Sequence, residues 1–218
     1  MAETIPLRLH GYWRSTASFR VRIALNIKHV RYEQVPHDLR AGEHRSADFL
    51  ALNPQGFVPA LEGPELMIPQ SGAIIEWLEE TFPQPPLLPA IARDRAIVRA
   101  MAMIVACDIH PLNNLRILKS LKHDLDADQA DIDAWIARWI HQGFTALETL
   151  ISSHGRGFAF GDTPTMADCY LVPQVYSAQR YNVDISPFTA IIAASDRAAA
   201  LPEFAAAHPS AQADADPD

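Results

Sequence analysis

The chain has 218 residues, 49% of them hydrophobic and 20% charged, and 26 acidic against 18 basic side chains leave a formal net charge of −8. That length allows one large domain or two small ones with ample core, and the acidic balance argues against nucleic-acid binding, which needs a basic footprint. Two cysteines, Cys107 and Cys169, without a C-x-x-C spacing exclude a disulfide scaffold, a zinc ribbon and a thioredoxin-type dithiol; both read as buried small hydrophobes. Met1 to His10 holds no long apolar run and no window approaches a membrane span, so a cytoplasmic protein with no membrane partner is expected.

Leu7 to His10 reads as a short strand, and Ser15 to Lys28 as an amphipathic helix carrying Val21, Ala24 and Leu25 on one face. Val30 to Val35, β-branched and aromatic, suits a second strand, so the start of the chain predicts a βαβ unit with a parallel pair. A polar stretch from Pro36 to Asn53 includes a short helix over Ser46 to Leu52. Two short strands then flank a turn at Gly63-Pro64, and Gln70 to Phe82 forms a helix striped by Ile74, Ile75, Leu78 and Phe82.

Pro83-Gln84-Pro85-Pro86-Leu87-Leu88-Pro89 can be neither helix nor central strand and marks a domain boundary. Everything after it reads as helical. Ile97, Met101, Ile104 and Val105 form one stripe, and Pro111 should kink or divide that helix before Leu115, Leu118 and Leu121 resume. Ile132 to Ile151 marks a long helix with Trp135 and Trp139 as core. Thr165 to Tyr181 is another, opened by the capping-box pattern Thr165-x-x-Asp168. The expected architecture is an α/β domain over 1–83, an all-α bundle over 90–209 and a disordered acidic tail over 210–218.

Three places in the first domain suit an anionic, peptide-like ligand. Ser15 to Ser18 stand where a strand hands over to a helix, whose unpaired N–H groups and dipole favour an anion, with Arg14 and Arg20 close by. Val58-Pro59 precedes a strand, and a proline there can adopt cis and leave the preceding residue's N–H and C=O to pair with an extended ligand. Gln70-Ser71 opens the next helix, where a hydroxyl and the helix dipole could hold a carboxylate. Each has an ordinary structural explanation as a cap or an edge proline; together they suit a small acidic peptide.

The chain resembles the cytosolic glutathione transferases, and within them the zeta class. In the first domain the likeness is carried by Arg14-Ser15-Thr16-Ala17-Ser18, Arg20 to Leu25, Ala51-Leu52-Asn53-Pro54, Val58-Pro59-Ala60-Leu61 and Gln70 to Glu80. In the second it is carried by Asp108 to Arg116, Gly161 to Asp168 and Leu171-Val172-Pro173-Gln174. It covers nearly the whole chain apart from the extreme ends. It implies an N-terminal thioredoxin-like domain followed by a C-terminal helical bundle, glutathione as cofactor and a homodimer.

The resemblance further implies that Ser15 faces the glutathione sulfur, with Thr16 as a second hydroxyl and Arg14 beside them. His44, Val58, Pro59, Gln70, Ser71, His110 and Asn114 become glutathione contacts, and Arg14, Arg116 and Arg180 hold the carboxylates of a small anionic substrate; no metal is implied. Asp168 is a cap rather than a catalyst. The class motif is often Ser-Ser-Cys, whereas here it stands as Ser15-Thr16-Ala17, so any role for a thiol at its third position is absent. The activity implied is glutathione-dependent cis–trans isomerisation of a keto-diacid, maleylacetoacetate or maleylpyruvate. The alternatives are a general transferase acting on small electrophiles such as α-halo acids, and a transferase-like interaction module without catalysis.

Overall fold

Alternation of apolar residues at the start of the chain produces a strand buried at its end: β1 (Leu7–Gly11) ends with Leu9 and His10 almost fully covered. The protein is described over residues 7–216 by a computed structural model; Met1 to Pro6, part of the stretch read as lacking an apolar run, and the last two residues of the expected tail lie outside the described residues. Helix α1 (Thr16–Ile27) follows, with Ser15 as its N-cap. It is covered nearly all round: Val21, Ile23, Ala24 and Leu25 are fully buried, and so is the charged Arg22. Each such aliphatic side chain contributes about 1.5–3 kcal/mol by leaving water.

β2 (Tyr32–Pro36) pairs parallel to β1, so the βαβ unit is present, with its second strand two residues later than the sequence suggests. α2 (Ala47–Leu52), capped by Ser46, lies in the connection to β3 (Ala60–Gly63). β4 (Leu66–Pro69) follows a tight turn in which Glu65 takes a φ of 54°, and α3 (Ser71–Thr81) ends this part of the chain. The sheet order is β2-β1-β3-β4, with β3 antiparallel to both neighbours. Beneath α1 the buried Lys28 ammonium donates to Glu79 at 2.5 Å and to the Pro85 carbonyl at 2.7 Å. The same Glu79 carboxylate accepts from the Leu87 N–H, so the proline-rich segment is tied back to α1 and α3 by charge rather than by secondary structure.

The second unit, Leu88–Ala200, is helical. α4 (Ala92–Met103) passes into a π turn over Ile104–Ile109. The His110 N–H reaches back five residues to the Val105 carbonyl at 2.9 Å. Pro111 has no N–H and its ring would strike the carbonyl four residues back; the helix therefore widens before the proline and breaks, a wider disturbance than a simple kink. α5 (Leu115–Asp124) restarts with Asn114 as its cap. α6 (Gln129–His154) opens with a true capping box formed by Asp128 and Asp131. At Gly143 a Cβ would stand 2.3 Å from Ile109 Cδ1, so α6 lies against the π turn where only glycine fits. α7 (Met166–Arg180) and α8 (Thr189–Ala199) complete the unit. Asp168 is wholly buried at the head of α7, where it accepts from the Ala159 and Thr165 N–H groups and the Thr165 hydroxyl.

Three expectations change. Cys107 is exposed rather than buried, because it stands on the open side of the π turn, whereas Cys169 is buried as expected. Trp135 and Trp139 are only half-buried; Trp135 uses its indole N–H to hold the Leu112 carbonyl at 2.9 Å, a partner a fully apolar core would deny it. The tail carries specific hydrogen bonds and an ion pair through Asp216. From Leu201 onward the chain belongs to the first unit, not to the helical one. α9 (Pro202–Ala207) accepts from Arg22 at Ala207 and from Asn26 at Glu203. Gln212 is buried and bonded to Gln34 and to the carbonyls of Ala206 and His208. Small, acidic composition reads as disorder, but these polar groups find fixed partners. Among the described residues no helix is long and apolar enough to cross a membrane.

Candidate active site

The strand register collects the first-domain candidates. β1 runs into the turn that ends at Ser15, and β3 runs opposite to it, with Ala60 facing His10. The start of β3, and hence Val58-Pro59, therefore lies at the end of the sheet where β1 finishes. β4 is antiparallel again, with Pro69 facing Ala60, which brings Gln70-Ser71 to the same end. Two strand reversals thus gather three segments separated by up to 56 residues.

Ser15 is half-buried, and its hydroxyl oxygen accepts from the Ser18 N–H at 3.2 Å. A cap of this kind still has its own proton to donate. Thr16 is buried as the first residue of α1, while Arg14 is half-buried beside Trp13, its guanidinium 5.2 Å from the indole centroid. The Val58-Pro59 bond is cis. Val58 stands outside the paired register, which begins at Ala60, so its backbone is available beyond the ladder. Gln70 takes a φ of 72°, a sparsely populated conformation for a non-glycine residue. Its side-chain amide donates to Gln55 Oε1 at 2.7 Å.

Ser71 begins α3, and the Arg20 guanidinium, itself 2% exposed, lies 3.5 Å from its hydroxyl. Buried positive charge, a hydroxyl and a helix N-terminus together suit a carboxylate. Arg20 was legible only as a cation near α1; its place at α3 comes from the packing of the two helices. Gln55 carried no sequence signal beyond lying in a turn.

His44 sits half-buried in a short 3-10 turn over Glu43–Arg45, with its carbonyl close against Gly56. That turn connects with the others through Arg45, which donates to the Gln55 carbonyl at 3.5 Å. The preceding loop is anchored by His37, which shares a 2.9 Å hydrogen bond with His10, itself 2.9 Å from Glu62. Burial first, then the neighbouring His10, holds the His37 imidazole below its ordinary pKa, with Glu43 acting the other way and His44 adding to the depression.

In the helical unit His110, Asn114 and Arg116 occupy the break after the π turn. His110 is half-buried, Asn114 caps α5 by accepting from the Arg116 N–H at 3.2 Å, and Arg116 is exposed. Arg180 closes α7, exposed, with its guanidinium 4.6 Å from the Tyr181 ring centroid. It lines an open groove of about 700 Å³ with Asp133, His141 and Asp184, a lining that includes neither His110 nor Arg116.

Two family models match: the glutathione S-transferase N-terminal domain over residues 5–80 and the C-terminal domain over 129–209. The maleylpyruvate isomerase of a Ralstonia species is 51% identical over 211 residues, covering 95% of this chain and 99% of that protein. The maleylacetoacetate isomerase of Pseudomonas aeruginosa is 48% identical over 213 residues, covering 95% and 98%. The holo structure of maleylpyruvate isomerase, described as a bacterial zeta-class glutathione S-transferase, superposes with a TM-score of 0.94 at 50% identity, over 96% of this chain and all of that one. Maleylacetoacetate isomerase of Anaeromyxobacter dehalogenans 2CP-1, solved with glutathione in its active site, gives 0.89 at 41% identity, over 97% and 98%. The sheet, the cis-proline edge and the capped helix starts are thus those of a known fold, and the chain belongs to the glutathione S-transferase family, in its zeta class.

Proposed function

We propose that this protein is a glutathione-dependent cis–trans isomerase of a small keto-diacid, maleylpyruvate or maleylacetoacetate. The observation that carries the reading is the convergence of Ser15, the Val58-Pro59 edge and the Arg20–Ser71 helix start at one end of the sheet. Relatives bearing both isomerase names, at 51% and 48% identity, support it. The donor set fits the cofactor: a carboxylate finds a buried cation and a helix start, a peptide unit finds the free edge at Val58, and a thiolate finds a hydroxyl at Ser15.

Bound here, glutathione would supply a thiolate, a nucleophile for the cis double bond that could be released again unchanged. Ser15 donates its hydroxyl proton toward the sulfur, which stabilises the anionic form. Gln70 and Ser71, backed by Arg20, hold the γ-glutamyl carboxylate, and Val58 pairs with the cysteinyl peptide. His44 serves the glycyl end, and the family likeness assigns His110 and Asn114 of the helical unit to glutathione as well. For the substrate carboxylates the family likeness assigns Arg14, Arg116 and Arg180, since guanidinium meets carboxylate in a two-point fork; the groove that Arg180 lines does not include Arg116, so each arginine is to be tested by itself.

Thiolate formation is the smaller contribution. A thiol of pKa about 8.5 is roughly 3% ionised at pH 7, so complete ionisation gains at most about 30-fold. The remainder must come from holding the double bond against the sulfur and stabilising the developing negative charge.

The decisive assay follows the ultraviolet absorbance of each substrate with catalytic glutathione. Isomerisation of either without net glutathione consumption is the expected result. Conjugation of an α-halo acid with neither isomerised would instead indicate a detoxifying transferase. A homodimer belongs to the same reading, supported by the exposed apolar side chains Met103, Leu115 and Leu125; a monomeric mass in light scattering at micromolar concentration would contradict it.

A further inference from the structure

We infer that Asp214, in the C-terminal segment, is a positioning residue for the turn that presents Ser15. That turn, from Tyr12 to Ser15, is closed by the Ser15 N–H on the Tyr12 carbonyl at 3.0 Å. Its central peptide groups are gripped from both sides. The Trp13 carbonyl accepts from the buried Arg22 guanidinium at 2.9 Å, and the Trp13 N–H donates to the Asp214 carboxylate at 2.9 Å. Arg22 is itself fixed by the Ala207 carbonyl in α9, at 2.9 Å.

The returning segment thus supplies one restraint directly, through Asp214, and fixes the other through Ala207. Asp214 is held in place from its own side: Gln212, two residues earlier, is buried with three hydrogen-bond partners. Asp216, two residues later, pairs with Arg40. The Arg40 guanidinium lies 5.9 Å from the Tyr12 ring, so the segment also borders the first residue of the turn. A carboxylate accepting a backbone N–H forms a hydrogen bond about twice as strong as a neutral pair. Its target lies two residues before the hydroxyl whose position governs the sulfur, and misplacement by about 1 Å can cost about 100-fold in rate.

This rests on Ser15 being the group that faces the thiol, and the test separates the two. Full-length Asp214→Ala is compared with Asp214→Asn, Ser15→Ala and the Ser15→Ala/Asp214→Ala double variant. The measured quantities are isomerase kcat, KM for glutathione, and the pH dependence of thiolate absorbance of bound glutathione. Asp214→Ala should lower kcat by about 10-fold with a smaller change in KM, and should move thiolate formation to higher pH. Asp214→Asn, which keeps an acceptor oxygen, should restore most of the rate. On the Ser15→Ala background the Asp214 substitution should change kcat by less than about 2-fold, because there is no hydroxyl left to misplace. The same 10-fold loss on both backgrounds, or an unaltered kcat in Asp214→Ala, overturns the positioning role while Ser15→Ala alone still reports on the serine. An unaltered rate in Ser15→Ala overturns both.

Discussion

Ser15→Ala should lower isomerisation at pH 7 by about 30- to 100-fold while leaving the protein folded. Loss of thiolate supplies up to about 30-fold of this: without a donor the thiol returns toward a pKa of about 8.5 and is roughly 3% ionised. The upper bound includes loss of orientation, since removing one preorganised donor at a developing anion costs about 100- to 1,000-fold in well-studied sites. The structural cost is that of an N-cap, about 1 kcal/mol, because only the Ser18 N–H loses its partner. The discriminating quantity is the pH profile. Wild-type turnover should change little from pH 7 to 8.5, whereas the variant should climb across that range as the thiol of ordinary pKa ionises. Equal rates at pH 7 would remove the serine from the mechanism.

Asp168→Ala should give the largest loss of stability, and the loss should grow as the solution is acidified. At pH 7 the substitution leaves the buried Ala159 and Thr165 N–H groups and the Thr165 hydroxyl without their acceptor. Orphaned buried donors cost about 1–3 kcal/mol each, and relief of a desolvated charge offsets part of this, so a net loss of about 3 kcal/mol is expected. Burial pushes the Asp168 carboxyl up to about 6, against an ordinary value of 3.8, and its three hydrogen bonds only partly oppose that.

The native state therefore holds the proton more tightly than the unfolded chain. The stabilisation this provides is fully present below about pH 4 and fades as pH rises through 6. About two pKa units correspond to about 3 kcal/mol. The variant has no such group, so the difference from wild type should widen from about 3 kcal/mol at pH 7 to about 6 at pH 4. Urea unfolding of both proteins across that range measures it directly. A difference that shrinks on acidification would mean that the hydrogen bonds, not burial, dominate Asp168.

Much of this molecule is legible residue by residue. Ser15 and the Thr165-x-x-Asp168 pattern announce helix starts because capping needs only side-chain oxygens at the cap and three residues into the helix. The change from βαβ patterning to long helical stripes at Pro83 to Pro89 is likewise local, since proline removes a donor wherever it stands. The cis-capable Val58-Pro59 and the helix start at Gln70-Ser71 could be picked out as candidates before any strand was paired.

What pairing and packing decided is of another kind. That the segments holding Ser15, Pro59 and Ser71 lie at one end of the sheet depends on β3 running opposite to both β1 and β4, which no single segment encodes. That Arg20 serves the start of α3 rather than its own helix follows from the approach of two helices joined through 43 intervening residues. The widening of α4 into a π turn before Pro111 depends on where His110 can find a carbonyl. The C-terminal segment is the clearest case. Its alanines and aspartates carry almost no apolar surface, so by composition alone it cannot order itself. It is ordered because Arg22, Trp13, Gln34 and Arg40, scattered through the first 40 residues, leave polar groups where Ala207, Gln212, Asp214 and Asp216 arrive. Local chemistry determines which residues can cap, break or bind; only the folded chain determines which of them face one another, because hydrogen bonds and ion pairs depend on distances that close only when the strands and helices have packed.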